Sequence, residues 1–449
     1  MQDNSRPYHE LHRPQFHFSP RTGWTNDPNG LVYYEGVYHL FFQHNPESVK
    51  WGNMTWGHAT SIDLVHWEEL DDALHPDALG TIFSGSAVVD WRNISGFGTG
   101  SETPLVAFYT SAGSHAPTPC PFTQSIAYSC DRGRTWTKYD GNPVVGHIEG
   151  HNRDPKVVWH APTDRWIMAL YLDRNDYMLL GSKNIRDWSP LTKMTLAGVS
   201  ECPDFFELSV DGNPEDTRWV FWGANGGYRI GRFDGTIFVP ETPVLHAERG
   251  PNGYAAQTWS DIPDTDGRRI QISWMNGGKY PSMPFNQQMS FPVSLSLKRF
   301  GDALRLCRTP VTEIETLYGR QMEYTDQALT DSFIPDTQHN LFDISVSFTP
   351  GRARLFGLVV QGHRIECNPE DDTLTAFGRT VPISRVSGRI DLRLLVDRTS
   401  VEIFSLEGRL SMSCCFLPEA CDVPLEFFAT DGVAGLHRLT VRELNSIWT

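Results

Sequence analysis

No stretch of this sequence approaches the roughly 18 consecutive apolar residues of a membrane-spanning helix. Its opening, MQDNSRPYHELHRPQ, has no apolar centre of the kind a signal peptide needs. That leaves two expectations open, a protein kept inside the cell or one whose leader has been removed. Basic charge is in short supply, with 38 Lys and Arg against 54 Asp and Glu and a net charge of −16. A surface for nucleic acid or anionic membrane is therefore not expected, because either would need cations to neutralise phosphates. Cysteine is thin, eight residues in 449 at 120, 130, 202, 307, 367, 414, 415 and 421, too sparse for a disulfide-stapled scaffold. There is no CxxC pair and no HExxH, so a zinc site is not expected, and no cofactor is expected. No long segment keeps a helical period, which argues against a helix bundle.

Strands and aromatic residues are abundant. The chain is 12% aromatic with 14 Trp, enough to line sugar-binding surfaces as well as a core. GLVYYEGVYHLFFQ, KVVWHAPTDRWIMALYL and FFELSVDGNPEDTRWVFWGA each read as two β-branched or aromatic strands around a turn, and RRIQISWM reads as a single strand. A repeat appears on aligning what precedes these runs. The markers are Asn26 and Asp27, Phe83 and Ser84, Arg153 and Asp154, Glu201, and Tyr254. Taking Asp27, Ser84, Asp154, Glu201 and Tyr254, they are spaced 57, 70, 47 and 53 residues apart. Five sheet-sized units predict a five-bladed β-propeller over 1–300, with each marker facing the central axis at one end. Beyond residue 300 the texture changes to short alternating strands with turns at intervals of about ten residues, as in a sandwich. A structural β-sandwich domain is expected over 316–449, and the fold class is all-β.

The segment GWTNDPNGLVYY, residues 23 to 34, reads as a tight turn leading directly into a strand. Asn and Asp bond their own backbone, Pro28 fixes its dihedral and Gly30 accepts positive φ. Its neighbours Trp24 and LVYY nevertheless place Asp27 beside a strand expected to be buried. Asp154, Glu201 and Asp204 each have an equally plain structural reading, as half of an ion pair, a surface residue and a turn cap. Convergence of Asp27, Asp154 and Glu201 at equivalent positions of a repeat points instead to chemistry. Glycoside cleavage with retention needs a nucleophilic carboxylate and a proton-donating carboxylic acid about 5–5.5 Å apart.

WTNDPNG, FQHNP, WGNMTWGHA, FSGSA, HNRDPK, ECPDFF and YAAQTW, in this order, resemble glycoside hydrolase family 32, the β-fructofuranosidases that include invertases, inulinases and levanases. The resemblance runs from about Pro14 to the C-terminus. It implies a propeller followed by a sandwich, retention of configuration, no metal, and a fructan or sucrose substrate. Carried over motif by motif, it makes Asp27 the nucleophile, Glu201 the acid/base and Asp154 the transition-state stabiliser. It places Asn26, Gln43, Trp51, Phe83, Ser84, Arg153, Tyr254 and Trp274 around the fructose. Arg153 is expected to hold Asp154 ionised. Thr25 departs from the Met or Leu commoner before the Asn-Asp pair, and Cys202 reads as a small packed thiol. MPFNQQMSFPVSLSLKR and GHNRDPKVVWH look more like the exo-acting levanase and inulinase types than the sucrose-6-phosphate hydrolases. The alternatives are a fructosyltransferase, a levan-specific enzyme releasing difructose products, and a non-catalytic fructan-binding propeller.

Overall fold

Aromatic and β-branched residues at period two pair into antiparallel hairpins throughout the computed structural model, which describes residues 7–99, 102–405, 407–420 and 422–448. Helical elements among the described residues are short 3-10 turns at Gly113–His115, Ala161–Thr163 and Thr312–Leu317, and none is long and apolar enough to cross a membrane.

Five four-stranded antiparallel units follow one another. They run from Gly23–Tyr34 to Glu68–Leu74, Thr81–Val89 to Thr137–Lys138, Arg153–His160 to Ser189–Thr195, Asp204–Val210 to Phe238–Pro240, and Gly253–Thr258 to Ala303–Pro310. The first strand of each unit touches the first strand of the next, and Gly253–Thr258 touches Gly23–Tyr34 again, so the five blades close into a ring. Two backbone bonds of 2.9 Å, from Tyr33 N to Ser260 O and from Ser260 N to Leu31 O, fasten the fifth blade to the first. Near the axis Lys156 Nζ lies 3.1 Å from Asp204 Oδ1 and donates to Thr258 O at 2.8 Å. Asp204 also accepts from Thr258 N at 2.7 Å. Asp204 is thus not a turn cap: it is a buried charge shared by the third, fourth and fifth blades, which its partners make tolerable without water.

The boundary expected at residue 300 falls inside a hairpin, because Val293–Phe300 pairs with Ala303–Pro310 in the fifth blade. After the turn at Thr312–Leu317, two six-stranded antiparallel sheets pack face to face. Ile344, Phe348, Phe356, Leu394 and Phe427 are among the buried residues between them. Propeller and sandwich are joined through buried charges. His17 bridges Asp397 and Glu402 of the sandwich, while Glu248, paired with Arg308 Nη1 at 2.6 Å within the propeller, accepts from Ser413 N of the sandwich at 2.9 Å.

Candidate active site

The conserved geometry of a strand sends successive side chains to opposite faces, and an extra residue in one strand re-aims them. NDPNG is such a place and not the tight turn its residues suggest: it lies within the strand Gly23–Tyr34, where the register jumps between Thr25 and Pro28 and again between Asn29 and Val32. Asn26 and Asp27 occupy the first irregularity. Gly30 sits at φ 55°, and a Cβ there would lie 2.6 Å from Phe41 and 2.8 Å from Trp56, so only glycine lets the strand approach its neighbours. The second blade repeats the device, with a shift between Phe83 and Gly85 that leaves Ser84 unpaired, and the fifth blade has another directly after Tyr254. Asp154 opens the third blade at φ 62°. Glu201 stands in the loop before the fourth blade, held by Ala224 N donating to its carbonyl at 2.7 Å and by Asn225 N donating to Ser200 Oγ at 2.9 Å.

These irregularities point the marked side chains into one cavity of about 390 Å³ at the end of the axis, which takes in every residue expected around the substrate. Ser84 Oγ donates to Asp27 Oδ2 at 2.6 Å, and Asn26 Nδ2 donates to Asp27 Oδ1 at 3.1 Å. Trp24 Nε1 holds Asn26 in place at 2.8 Å. Cys202 Sγ lies between two acids, 3.5 Å from Asp27 Oδ2 and 3.4 Å from Asp154 Oδ2. Tyr254 OH donates to Glu201 Oε1 at 2.8 Å, and Glu201 Oε2 is paired with Arg153 Nη2. The Gln43 side chain is 2% exposed and its Nε2 has no hydrogen-bond partner among the described residues, leaving a buried donor free for a ligand hydroxyl.

Residues 17–310 match the family model for the N-terminal domain of glycosyl hydrolases family 32, and residues 368–443 match the model for its C-terminal domain. The chain belongs to glycoside hydrolase family 32. It is 40% identical to a levanase of Bacillus subtilis over 99% of this chain and 72% of the levanase. It is 33% identical to an extracellular exo-inulinase of Aspergillus ficuum, over 98% and 96% of the two chains. Among solved structures, the exo-inulinase of Aspergillus awamori superposes with a TM-score of 0.89 at 29% identity, covering 98% of this chain and all of that one. A fructofuranosidase of Schwanniomyces occidentalis complexed with fructose superposes with a TM-score of 0.87 at 26% identity, covering 98% and 100%.

The electrostatics of this family 32 cavity differ from expectation at one point. Arg153 Nε is 3.5 Å from Asp154 Oδ2, yet Asp154 is not held ionised in the ordinary carboxylate range. Burial pushes its carboxyl up to about 7; Arg153 opposes the rise, and the nearby charges of Glu201 and Asp27 add to it. The guanidinium is shared with Glu201, so it cannot neutralise both acids in full. Asp27 is also raised, chiefly by burial and further by Glu201, against the hydrogen bonds from Ser84 and Asn26.

The Asp27 bonds give a pH prediction for this family 32 enzyme. They favour the ionised carboxylate, so removing one raises the Asp27 pKa further, and with Asp27 as the expected nucleophile the loss of activity on acidification then sets in at a higher pH. Ser84→Ala is expected to move the acid limb of the kcat/KM profile upward, and a profile with an unmoved acid limb would contradict the role of this bond.

Sequence reading did not single out Ser114, His115, Phe122 and His151, which also line the cavity. His151 lies inside the HNRDPK motif, whereas the stretch 114–122, SHAPTPCPF, holds one Phe and no pattern that would mark it. Thr25 is fully buried beneath Asp27, and its hydroxyl has no partner among the described residues. A cavity of equal volume lies between propeller and sandwich beside Arg249, Arg305 and Arg409, remote from the three acids.

Proposed function

We infer that this family 32 hydrolase releases terminal β-D-fructofuranosyl units, as free fructose, from levan- or inulin-type fructans and from sucrose, with retention of configuration. The observation that carries the reading is the meeting of Asp27, Asp154 and Glu201 in one cavity at the propeller axis, from three different blades. Asp27 attacks the anomeric carbon and forms an ester. Glu201 donates a proton to the glycosidic oxygen as that bond breaks, then takes a proton from the water that opens the ester. Asp154 accepts hydrogen bonds from fructose hydroxyls that tighten as positive charge builds on the ring. Gln43, Asn26 and Arg153 orient the sugar, while Phe83, Tyr254 and Trp274 exclude water from it. The propeller carries this chemistry, and the sandwich braces it.

Glu201 must hold a proton to act as the acid, and its Oε2 is engaged by Arg153. Substrate hydroxyls that engage Arg153 and Asp154 would draw the guanidinium away from Glu201 and release it for proton transfer. Glu201→Gln is expected to slow sucrose cleavage far more than cleavage of an activated aryl fructoside, whose leaving group departs without a proton. Equal losses on both substrates would assign the proton donation elsewhere.

A pocket at one end of the propeller axis suits one terminal ring, whereas an endo-acting enzyme needs an open groove with subsites on both sides. Free fructose is therefore expected as the dominant early product from levan or inulin, with glucose and fructose from sucrose. Chromatography of early time points tests this. Early difructose or longer oligosaccharides would replace the exo reading, and transfer products dominating at high sucrose would replace hydrolysis with fructosyl transfer.

A further inference from the structure

Outside the three acids, one wall of the cavity carries a continuous arc of rings. Trp51 and His115 have centroids 5.7 Å apart, His115 and Phe83 5.6 Å, Phe83 and Phe122 5.5 Å, and Phe122 and His151 5.1 Å. The arc is built from the first three blades. Its inner members are shielded, with Phe122 5% exposed, while Trp51, His115 and His151 face solvent at the mouth. An aromatic strip left open at the mouth of a polar cavity offers flat ring faces on which a sugar ring can settle.

We propose that His151, backed by Phe122, is the platform for the sugar unit on the leaving side of the scissile bond, and that His115 extends the platform along the fructan chain. The proposal rests on the fructosidase reading above. Its direction follows from the acid. Glu201 protonates the leaving oxygen, so the leaving unit lies on the Glu201 side of the cavity. Arg153 pairs with Glu201 and donates from Nη1 to the His151 carbonyl at 2.9 Å, which puts His151 on that same side. His151 lies nearly parallel to Phe122, at 23°, so one imidazole face is supported and the other is free to meet a sugar ring.

The platform is held in place by its backbone. His115 ends the 3-10 turn Gly113–His115, whose Gly113 carbonyl accepts from both Ala116 N and Cys120 N at 3.0 Å. A Cβ at Gly113 would lie 2.4 Å from the Cys120 carbonyl, so glycine permits this close return of the loop. Rings on a fixed backbone lose little freedom when a ligand settles on them, which favours their use as a binding surface.

The test uses binding, so that turnover does not obscure it. In an Asp27→Asn background, dissociation constants for free fructose and for a linear fructan trisaccharide are measured by calorimetry, with and without His151→Ala or His115→Ala. His151→Ala is expected to weaken the trisaccharide about tenfold, equivalent to about 1.4 kcal/mol, and to leave fructose within about twofold. His115→Ala should weaken the trisaccharide in the same direction. His151→Phe, which keeps a flat ring, should recover most of the loss. Equal weakening of fructose and trisaccharide, no weakening of either, or no recovery with phenylalanine would each overturn the platform. A wild-type enzyme that released no fructose from sucrose or levan would overturn the fructosidase reading instead, while the binding comparison would still decide the platform.

Discussion

Replacing Asp27 with Asn is expected to leave a folded protein whose turnover of sucrose and levan is lower by a factor on the order of 10⁴–10⁶. The amide is nearly the same size and can still meet Ser84 and Asn26, whose side chains reach the two carboxylate oxygens at 2.6 and 3.1 Å. What it cannot do is attack the anomeric carbon, so the ester intermediate is lost. Fructose binding should survive, because the groups that grip the sugar are unchanged and one buried charge is gone. Steady-state kinetics on a variant purified free of wild-type enzyme, alongside its melting temperature, checks both halves. Residual activity within about a hundredfold of wild type would place the nucleophile on another residue.

Substituting His17 by Ala should cost about 3–5 kcal/mol of stability, far more than a typical surface change, because it strands two buried carboxylates. His17 is fully buried between Asp397 Oδ2 and Glu402 Oε2, each 2.8 Å from a ring nitrogen. Asp397 also accepts from the backbone N–H groups of Gln15, Phe16 and His17. Burial alone would lower the imidazole pKa, but the two carboxylates outweigh it and raise it to about 9. A group whose pKa is raised on folding contributes stability that is complete below its unfolded value near 6.5 and is lost as pH rises through about 9. Asp397 is shifted the other way, lowered by His17 and the backbone donors against its burial, and its share is lost as pH falls through its folded value. The gap in melting temperature between wild type and His17→Ala should therefore be wide at pH 6 and narrow at pH 9.5. A gap that stayed constant with pH would mean that the clamp is not charged.

The strands, the two kinds of domain and the three acids were legible in the sequence. Each has a local cause: pleat periodicity marks a half-buried strand, Gly, Pro, Asn and Asp mark turns, and a repeated unit places equivalent residues at equivalent points of the ring. Because such signals depend only on neighbouring residues, one chain read without its structure suffices to see Asp27, Asp154 and Glu201 as partners. The same local chemistry misled at NDPNG, whose turn-forming residues lie in a strand because pairing with Val37–Asn45 carries the chain through them as irregularities. Tertiary structure alone decided who neutralises whom. Arg153 is shared between its sequence neighbour Asp154 and Glu201, 48 residues away, and His17 finds Asp397 across 380 residues. His115, Phe122 and His151 join the cavity wall only because the second and third blades turn their ends to the same side. No local pattern encodes these partnerships, since they are set by which charges and rings share the same desolvated space once the ring has closed, and burial then decides how strongly each charge is felt.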